Sequence, residues 1–290
     1  MQITRTVPEI RLALRARRTA GPVVLVPTMG ALHDGHASLI REARRQGGDD
    51  GTVVTTIFVN PTQFGPNEDF AVYPRTPEED AGLAASHGTD LLFSPEVAAM
   101  YAPDASTRVN EEMVSLPLCG ASRPGHFSGV CTVVAKLFNI IQPDLAIFGK
   151  KDRQQLSVIR RMVRDLDIPV GILGADTVRE DDGLAMSSRN RRLDPVSRAQ
   201  APAIRRGLLA AAGALAAGET DATRLLALAR EPIAGCSMAR IDYLEIVDDE
   251  TLAPLSTVDR PAFLAAAVFF GPVRLIDNID LVPPGGPPAT

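Results

Sequence analysis

Short apolar runs rich in β-branched residues alternate with segments of helical period through the first two-thirds of the chain. Residues 23–27 (VVLVP) read as a buried strand, and residues 36–46 as a helix with Leu39, Ile40 and Ala43 on its inner face. Residues 52–59 (TVVTTIFV) form the second strand of the pattern. Thr76 is placed to cap the next helix, with Pro77 at its first position and Glu79 completing a capping box. A short strand at 91–93, a helix at 127–141, a strand at 144–148, a helix at 154–166 and a strand at 170–173 continue the series. Near-continuous apolar strands separated by helices predict an α/β domain whose parallel sheet is covered on both faces. In such sheets ligands gather at the carboxyl ends of the strands.

The pattern changes after Arg192. Residues 197–230 are rich in Ala, Leu and Arg and read as helical, followed by strands at 241–247 and 263–270. Strands and helices no longer alternate there, so a smaller α+β domain is expected at 178–290, behind a first domain at 1–177. At 290 residues, 45% hydrophobic and 22% charged, the chain has ample material for two packed cores. The last residues, VPPGGPPAT, read as a flexible end without chemistry.

Composition also excludes some classes. A net charge of -5 argues against nucleic acid as a partner. The apolar run at 262–270 is far shorter than the ~18 residues of a membrane span, and the first residues contain no apolar signal-peptide core. Three cysteines (Cys119, Cys131, Cys236) in no metal-ligand spacing fit a reducing compartment, hence the cytoplasm.

The first strand runs into Pro27-Thr28-Met29-Gly30-Ala31-Leu32-His33-Asp34-Gly35-His36. A glycine turn followed by His-x-Gly-His at a helix start brings two imidazoles and unpaired backbone N–H groups to the sheet's carboxyl edge. Such helix starts favour phosphate, and Gly35 allows close approach of a nucleotide. A metal site is not expected, because Cys119, Cys131, His87 and His126 form no spaced cluster with these histidines. Three further polar clusters follow strands: Asn60 to Gln63; Gly149 to Gln155, with Lys150, Lys151, Asp152 and Arg153; and Met186-Ser187-Ser188-Arg189. A guanidinium and two hydroxyls suit phosphate oxygens.

Together PTMGALHDGH, IFVNPTQF with its downstream ED and YPRT, GASRPGHFSGV, FGKKDRQQL, VREDDGLAMSSRN and RLIDN resemble the pantothenate synthetase (pantoate–β-alanine ligase) family, in order and spacing, over residues 3–281. The resemblance implies a Rossmann-like nucleotidyltransferase domain with a smaller C-terminal lid domain, in a homodimer. It implies that pantoate attacks MgATP to give pantoyl adenylate and pyrophosphate, and that β-alanine then displaces AMP. It also carries roles onto residues. Met29, Gly30, Ala31, Leu32, His33, Asp34, Gly35, His36, Gly149, Lys150, Lys151, Asp152, Val178, Met186, Ser187, Ser188 and Arg189 match nucleotide-binding positions. Gln63 and Gln155 match the pantoate-binding amides. His36, with His33, Lys151 and Arg189, matches the catalytic set, and no protein metal site is implied. Lys150, Arg153, Cys119 and Asp176 depart from the family pattern, the first two adding positive charge near the expected triphosphate. A nucleotidyltransferase acting on a phosphorylated acceptor and a non-catalytic nucleotide sensor are the competing readings; FVNPTQF and GASRPGHF disfavour the first, and the intact His33, His36, Lys151 and Arg189 the second.

Overall fold

Strands β1 (Gln2–Thr4), β2 (Val23–Thr28), β3 (Thr52–Ile57), β4 (Leu91–Phe93), β5 (Leu145–Gly149) and β6 (Gly171–Ala175) form one sheet in the computed structural model, which describes residues 1–66, 68 and 70–283. Their order is β1-β4-β3-β2-β5-β6, and every pairing is parallel. The chain winds outward from β2 through β3 to β4, then returns to the other side of β2 for β5 and β6. The order therefore reverses between β2 and β5. The crevice outside the carboxyl ends of two such strands is where open α/β sheets bind ligands.

The sheet belongs to a compact unit made of Met1–Glu112, Arg123–Lys150 and Gln155–Thr177. Val23 to Val26 of β2 are all at most 1% exposed, as expected of a central strand covered on both faces. Helices α1 (Val7–Arg17), α2 (Asp34–Gly47), α3 (Pro77–Ser86) and α4 (Val97–Met100) connect the early strands. Leu39, Ile40 and Ala43 of α2 pack with Val24, Val26, Val53 and Ile147 in one core cluster. Helix α5 (Cys119–Ser122) is a single turn, and α6 (His126–Ile141) is buried along most of its length. Helix α7 (Arg153–Asp165) follows β5 through a short 3-10 turn.

The sequence-based boundaries shift by one to three residues at most ends. Helix α2 begins at Asp34, earlier than expected, because His33 supplies the cap. Elements β1 and α1 were not expected; β1 has only three residues, while α1 has a full Thr6/Glu9 capping box. Thr76 and Pro77 occupy the predicted N-cap and first positions of α3, but no side-chain cap bond forms. The Thr76 hydroxyl donates instead to Asp80, at 3.1 Å.

The second unit comprises Met113–Ser122, Lys151–Gln154 and the chain from Val178 onward. Helices α8 (Pro195–Gln200), α9 (Ala203–Ala216) and α10 (Ala222–Ala234) precede an antiparallel sheet of β7 (Ala239–Asp248), β8 (Ala262–Phe270) and β9 (Val273–Leu281), ordered β7-β8-β9. Ile204, Leu208, Leu215, Leu225 and Ile233 bury against Leu264, Val268 and Phe270. Strand β9 escapes a sequence reading because its polar residues Arg274, Asp277 and Asn278 resemble a loop. Among the described residues no helix is long and apolar enough to cross a membrane. The predicted flexible tail lies, from residue 284, outside the described residues.

Candidate active site

The segment joining β2 to α2 is held from below by a buried carboxylate. Asp80, 1% exposed on α3, accepts from the backbone N–H of Ala31 at 2.9 Å and of Leu32 at 2.7 Å. Gly30 and Ala31 adopt positive φ (82° and 49°), and a Cβ on Gly30 would sit 3.0 Å from both Asp80 and Ile57. Only glycine combines that conformation with that space. Asp80→Asn places an NH2 group against one of the two amides, leaving a buried donor unpaired. The expected loss is about 1–3 kcal/mol, read as a lower urea midpoint; an unchanged midpoint would show that Asp80 does not hold the turn.

The histidines are arranged reciprocally. His33 Nδ1 accepts from Gly35 N at 3.1 Å, and His36 Nδ1 accepts from His33 N at 3.3 Å. This is a capping box built from two imidazoles. The rings lie 4.2 Å apart between centroids. Because each Nδ1 accepts a backbone N–H, the proton of each neutral ring sits on Nε2, making that nitrogen a donor. The expectation of unpaired backbone amides does not hold at four positions of this segment. The amides of Ala31, Leu32, His33 and Gly35 are engaged by Asp80 and the two rings. What this helix start offers an anion is imidazole Nε2–H and the helix dipole. Met29, Gly35 and both histidines are half-buried, and Asp34 is exposed.

Gln63 lies in the turn after β3 and is 8% exposed. Its Oε1 accepts from Asn60 Nδ2 at 3.0 Å, so its amide orientation is set and Nε2 faces Met29 Sδ, at 3.2 Å. Asn60, not singled out from the sequence as a site residue, is the organiser of this turn. It also donates to Gly129 O at 3.1 Å and accepts from Tyr101 Oη at 2.9 Å and Thr62 Oγ1 at 2.9 Å. Helix α6 comes close enough that a Cβ on Gly129 would lie 2.4 Å from Thr62 O. At its start, His126 Nδ1 donates to Gln63 O at 2.8 Å while Arg123 donates to His126 Nε2 at 3.1 Å. Arg123 also pairs with Glu68. Burial raises the Glu68 pKa, but the hydrogen bonds and charge of Arg123 outweigh it and leave the carboxyl below its ordinary value. The ED motif is only half visible, since Asp69 lies outside the described residues.

Gly149 ends β5, beside β2 in the sheet, and Lys150 follows. Gln155 is half-buried on α7. Its neighbour Gln154 has a structural task within the second unit: it donates to Val114 O at 3.0 Å and Pro117 O at 2.7 Å, and accepts from Cys119 N at 2.9 Å.

Within the second unit, Lys151 and Asp152 are half-buried in a 3-10 turn. Val178 O accepts from Met186 N at 3.0 Å, closing a short hairpin that delivers Ser187, Ser188 and Arg189. Ser187 caps the following turn by accepting from Arg189 N at 3.2 Å, Ser188 is buried, and Arg189 is half-buried. Among the described residues no group of three or more His, Cys, Asp or Glu is arranged to hold a metal ion.

Residues 2–280 match the model of the pantoate-beta-alanine ligase family. The chain belongs to this family. It is 55% identical to the pantothenate synthetase of Akkermansia muciniphila, over 97% of this chain and 100% of that one. The crystal structure of pantothenate synthetase from Thermus thermophilus superposes with a TM-score of 0.92 at 47% identity, covering 98% of this chain and 100% of that one. The pantoate-beta-alanine ligase of Francisella tularensis, solved in complex with beta-gamma ATP and beta-alanine, gives a TM-score of 0.77 at 32% identity, covering 96% and 97%.

Two departures from the pantoate–β-alanine ligase pattern are partners of each other. Lys150 Nζ lies 2.9 Å from Asp176 Oδ1, and Asp176 is 91% exposed. The pair sits near the surface, so its net stabilisation is about 0–1 kcal/mol. Its charge is nevertheless balanced. Arg153 is likewise paired: its side chain is 3% exposed, pairs with Asp249, whose side chain is 8% exposed, and lies over the Phe263 ring. The positive charge expected at both positions is thus paired with a carboxylate. A buried cation is tolerated only with such a carboxylate partner.

Proposed function

We propose that this ligase condenses pantoate with β-alanine to give pantothenate, AMP and pyrophosphate, with MgATP as co-substrate and pantoyl adenylate as intermediate. In step one a carboxylate oxygen of pantoate attacks the α-phosphorus, and the bond to the β-phosphate oxygen breaks with its electron pair on pyrophosphate. Pantoate is ionised at neutral pH, so no general base is needed. The need is for donors on the developing phosphate charge. In step two the neutral amine of β-alanine attacks the acyl carbon, the C–O bond breaks with its electron pair on AMP, and the nitrogen releases one proton as the amide forms.

The observation that carries this reading is the imidazole pair after β2. The Nδ1 atoms of His33 and His36 accept backbone N–H groups, so both Nε2–H groups are donors at the strand-order reversal. We assign His36 to donation toward the reacting phosphates, with His33, Lys151 and Arg189 in support. Met29 to Gly35, Gly149, Lys150, Asp152, Val178, Met186, Ser187 and Ser188 complete the nucleotide-binding set. Gln63, whose Nε2 orientation is set by Asn60, and Gln155 are assigned to pantoate. Magnesium belongs to the substrate, since it is coordinated mostly by phosphate oxygens and water in nucleotide sites. A cytoplasmic location fits three cysteines that form no disulfide, of which the Cys131 thiol is pushed up to about 12 by burial and so stays protonated. Assembly as a homodimer belongs to the same reading and is measured by light scattering.

The deciding experiment follows pyrophosphate and AMP release from MgATP and pantoate, with and without β-alanine. Pyrophosphate release that requires pantoate, with sustained AMP release only on adding β-alanine, is the expected result. Pantoate-independent pyrophosphate release by folded protein would overturn the adenylate route.

A further inference from the structure

Two consecutive residues of β9 grip two segments of the second unit that are far apart in sequence. Asp277, 4% exposed, receives a bidentate pair of hydrogen bonds from Arg179, Nη1 to Oδ2 at 2.7 Å and Nη2 to Oδ1 at 3.0 Å. Asn278 donates from Nδ2 to the carbonyl oxygen of Lys151 at 2.9 Å. The Asn278 backbone N–H in turn donates to Asp277 Oδ1 at 2.8 Å, so the two grips share an atom.

Arg179 is the root of the hairpin that delivers Ser187, Ser188 and Arg189. It bridges to Ala185 across the hairpin, and its guanidinium also donates to Gly183 O at 3.1 Å, bracing the turn. Beyond the hairpin, Asn190 donates back to Glu180 at 2.6 Å and to Ala185 O at 3.1 Å. Arg198 of α8 pairs with both Glu180 and Asp182. The hairpin is thus stiff in itself, and the Arg179–Asp277 fork ties its root to the sheet. Bidentate arginine–carboxylate pairs fix direction as well as distance.

We propose that Asp277 and Asn278 are positioning residues for the ligase reaction, setting the spacing between Lys151 and the Ser187–Ser188–Arg189 segment. The proposal rests on the assignment of those residues to the nucleotide phosphates. Asp277 and Asn278 act through Arg179 and the Lys151 backbone and are not catalytic residues. Phosphate donors must be held in place before the charge develops, and a displacement of about 1 Å in a supporting element can lower rate about a hundredfold.

The test uses the full chain and measures kcat, the KM values for ATP and pantoate, and the thermal midpoint. Asp277→Asn and Asn278→Ala are each expected to raise the ATP KM and lower kcat so that kcat/KM for ATP falls about tenfold or more. The pantoate KM should stay within about twofold. Asp242→Asn is the comparison, because it breaks the Asp242–Arg274 pair of the same sheet. It should lower the midpoint while leaving the ATP KM unchanged. In a Lys151→Ala background the effect of Asn278→Ala should shrink, since interacting residues are non-additive. If Asp277→Asn fails to fold, the half-buried Asn278 decides the matter. Impaired Lys151→Ala beside wild-type ATP kinetics in Asn278→Ala would overturn the positioning role. Wild-type ATP kinetics in Lys151→Ala and Arg189→Ala would overturn the phosphate assignment itself.

Discussion

His36→Ala is expected to lower pantoate-dependent pyrophosphate release by about 10²–10³-fold, the effect of deleting one preorganised donor to a developing oxyanion. The ring's Nδ1 accepts the His33 N–H, so the donor this ring contributes is Nε2–H. Loss of the ring also removes one half of the α2 cap, which costs about 0.5–2 kcal/mol of stability. The two consequences separate experimentally. Circular dichroism and thermal midpoint report the cap, while pyrophosphate release at saturating MgATP and pantoate reports the donor. A folded variant with near wild-type release would sink the catalytic assignment and leave His36 as a capping residue.

Gly129→Ala should have the largest effect among substitutions away from the assigned nucleotide residues. Within a helix, alanine is favoured over glycine by about 0.5–1 kcal/mol, so helix propensity predicts stabilisation. The tertiary contact predicts the reverse. A methyl at this position would lie 2.4 Å from Thr62 O and 2.6 Å from Gln63 N, both backbone atoms unable to rotate away. Overpacking of this kind costs about 1–3 kcal/mol. Its relief pushes the Asn60–Gln63 turn from α6, breaking the Asn60 bond to Gly129 O. The expected outcome is a lower thermal midpoint together with a pantoate KM raised about tenfold or more, following displacement of Gln63, the amide proposed to hold pantoate. A raised midpoint with unchanged pantoate KM would mean that the turn accommodates the methyl.

Much of the first unit was legible in the chain because its signals are local. A run such as 23–27 has no polar residue to place on a solvent face, so it must be a covered strand. His33-Asp34-Gly35-His36 lies between such a strand and an amphipathic helix, which locates it at the sheet's carboxyl edge. Helix α6 was equally plain from its apolar length. Strand β9 was not, since Asp277 and Asn278 interrupt its apolar pattern and find their hydrogen-bond partners only in the folded unit.

The sequence by itself determined the alternation of strands and helices, the residue types placed after each strand, and the motifs that resemble the family. Tertiary structure alone decided who holds them. Asp80 reaches the amides of Ala31 and Leu32 across 49 and 48 residues, and Asp277 reaches Arg179 across 98. Lys150 meets Asp176 across 26 residues, turning two separate departures into one neutral pair. Gly129 meets Thr62 O through the close approach of a helix to a turn. Periodicity and propensity act over a few residues, whereas a hydrogen bond or a clash depends on a distance in space. Which carboxylate satisfies which buried donor is therefore settled only when the sheets and helices have packed.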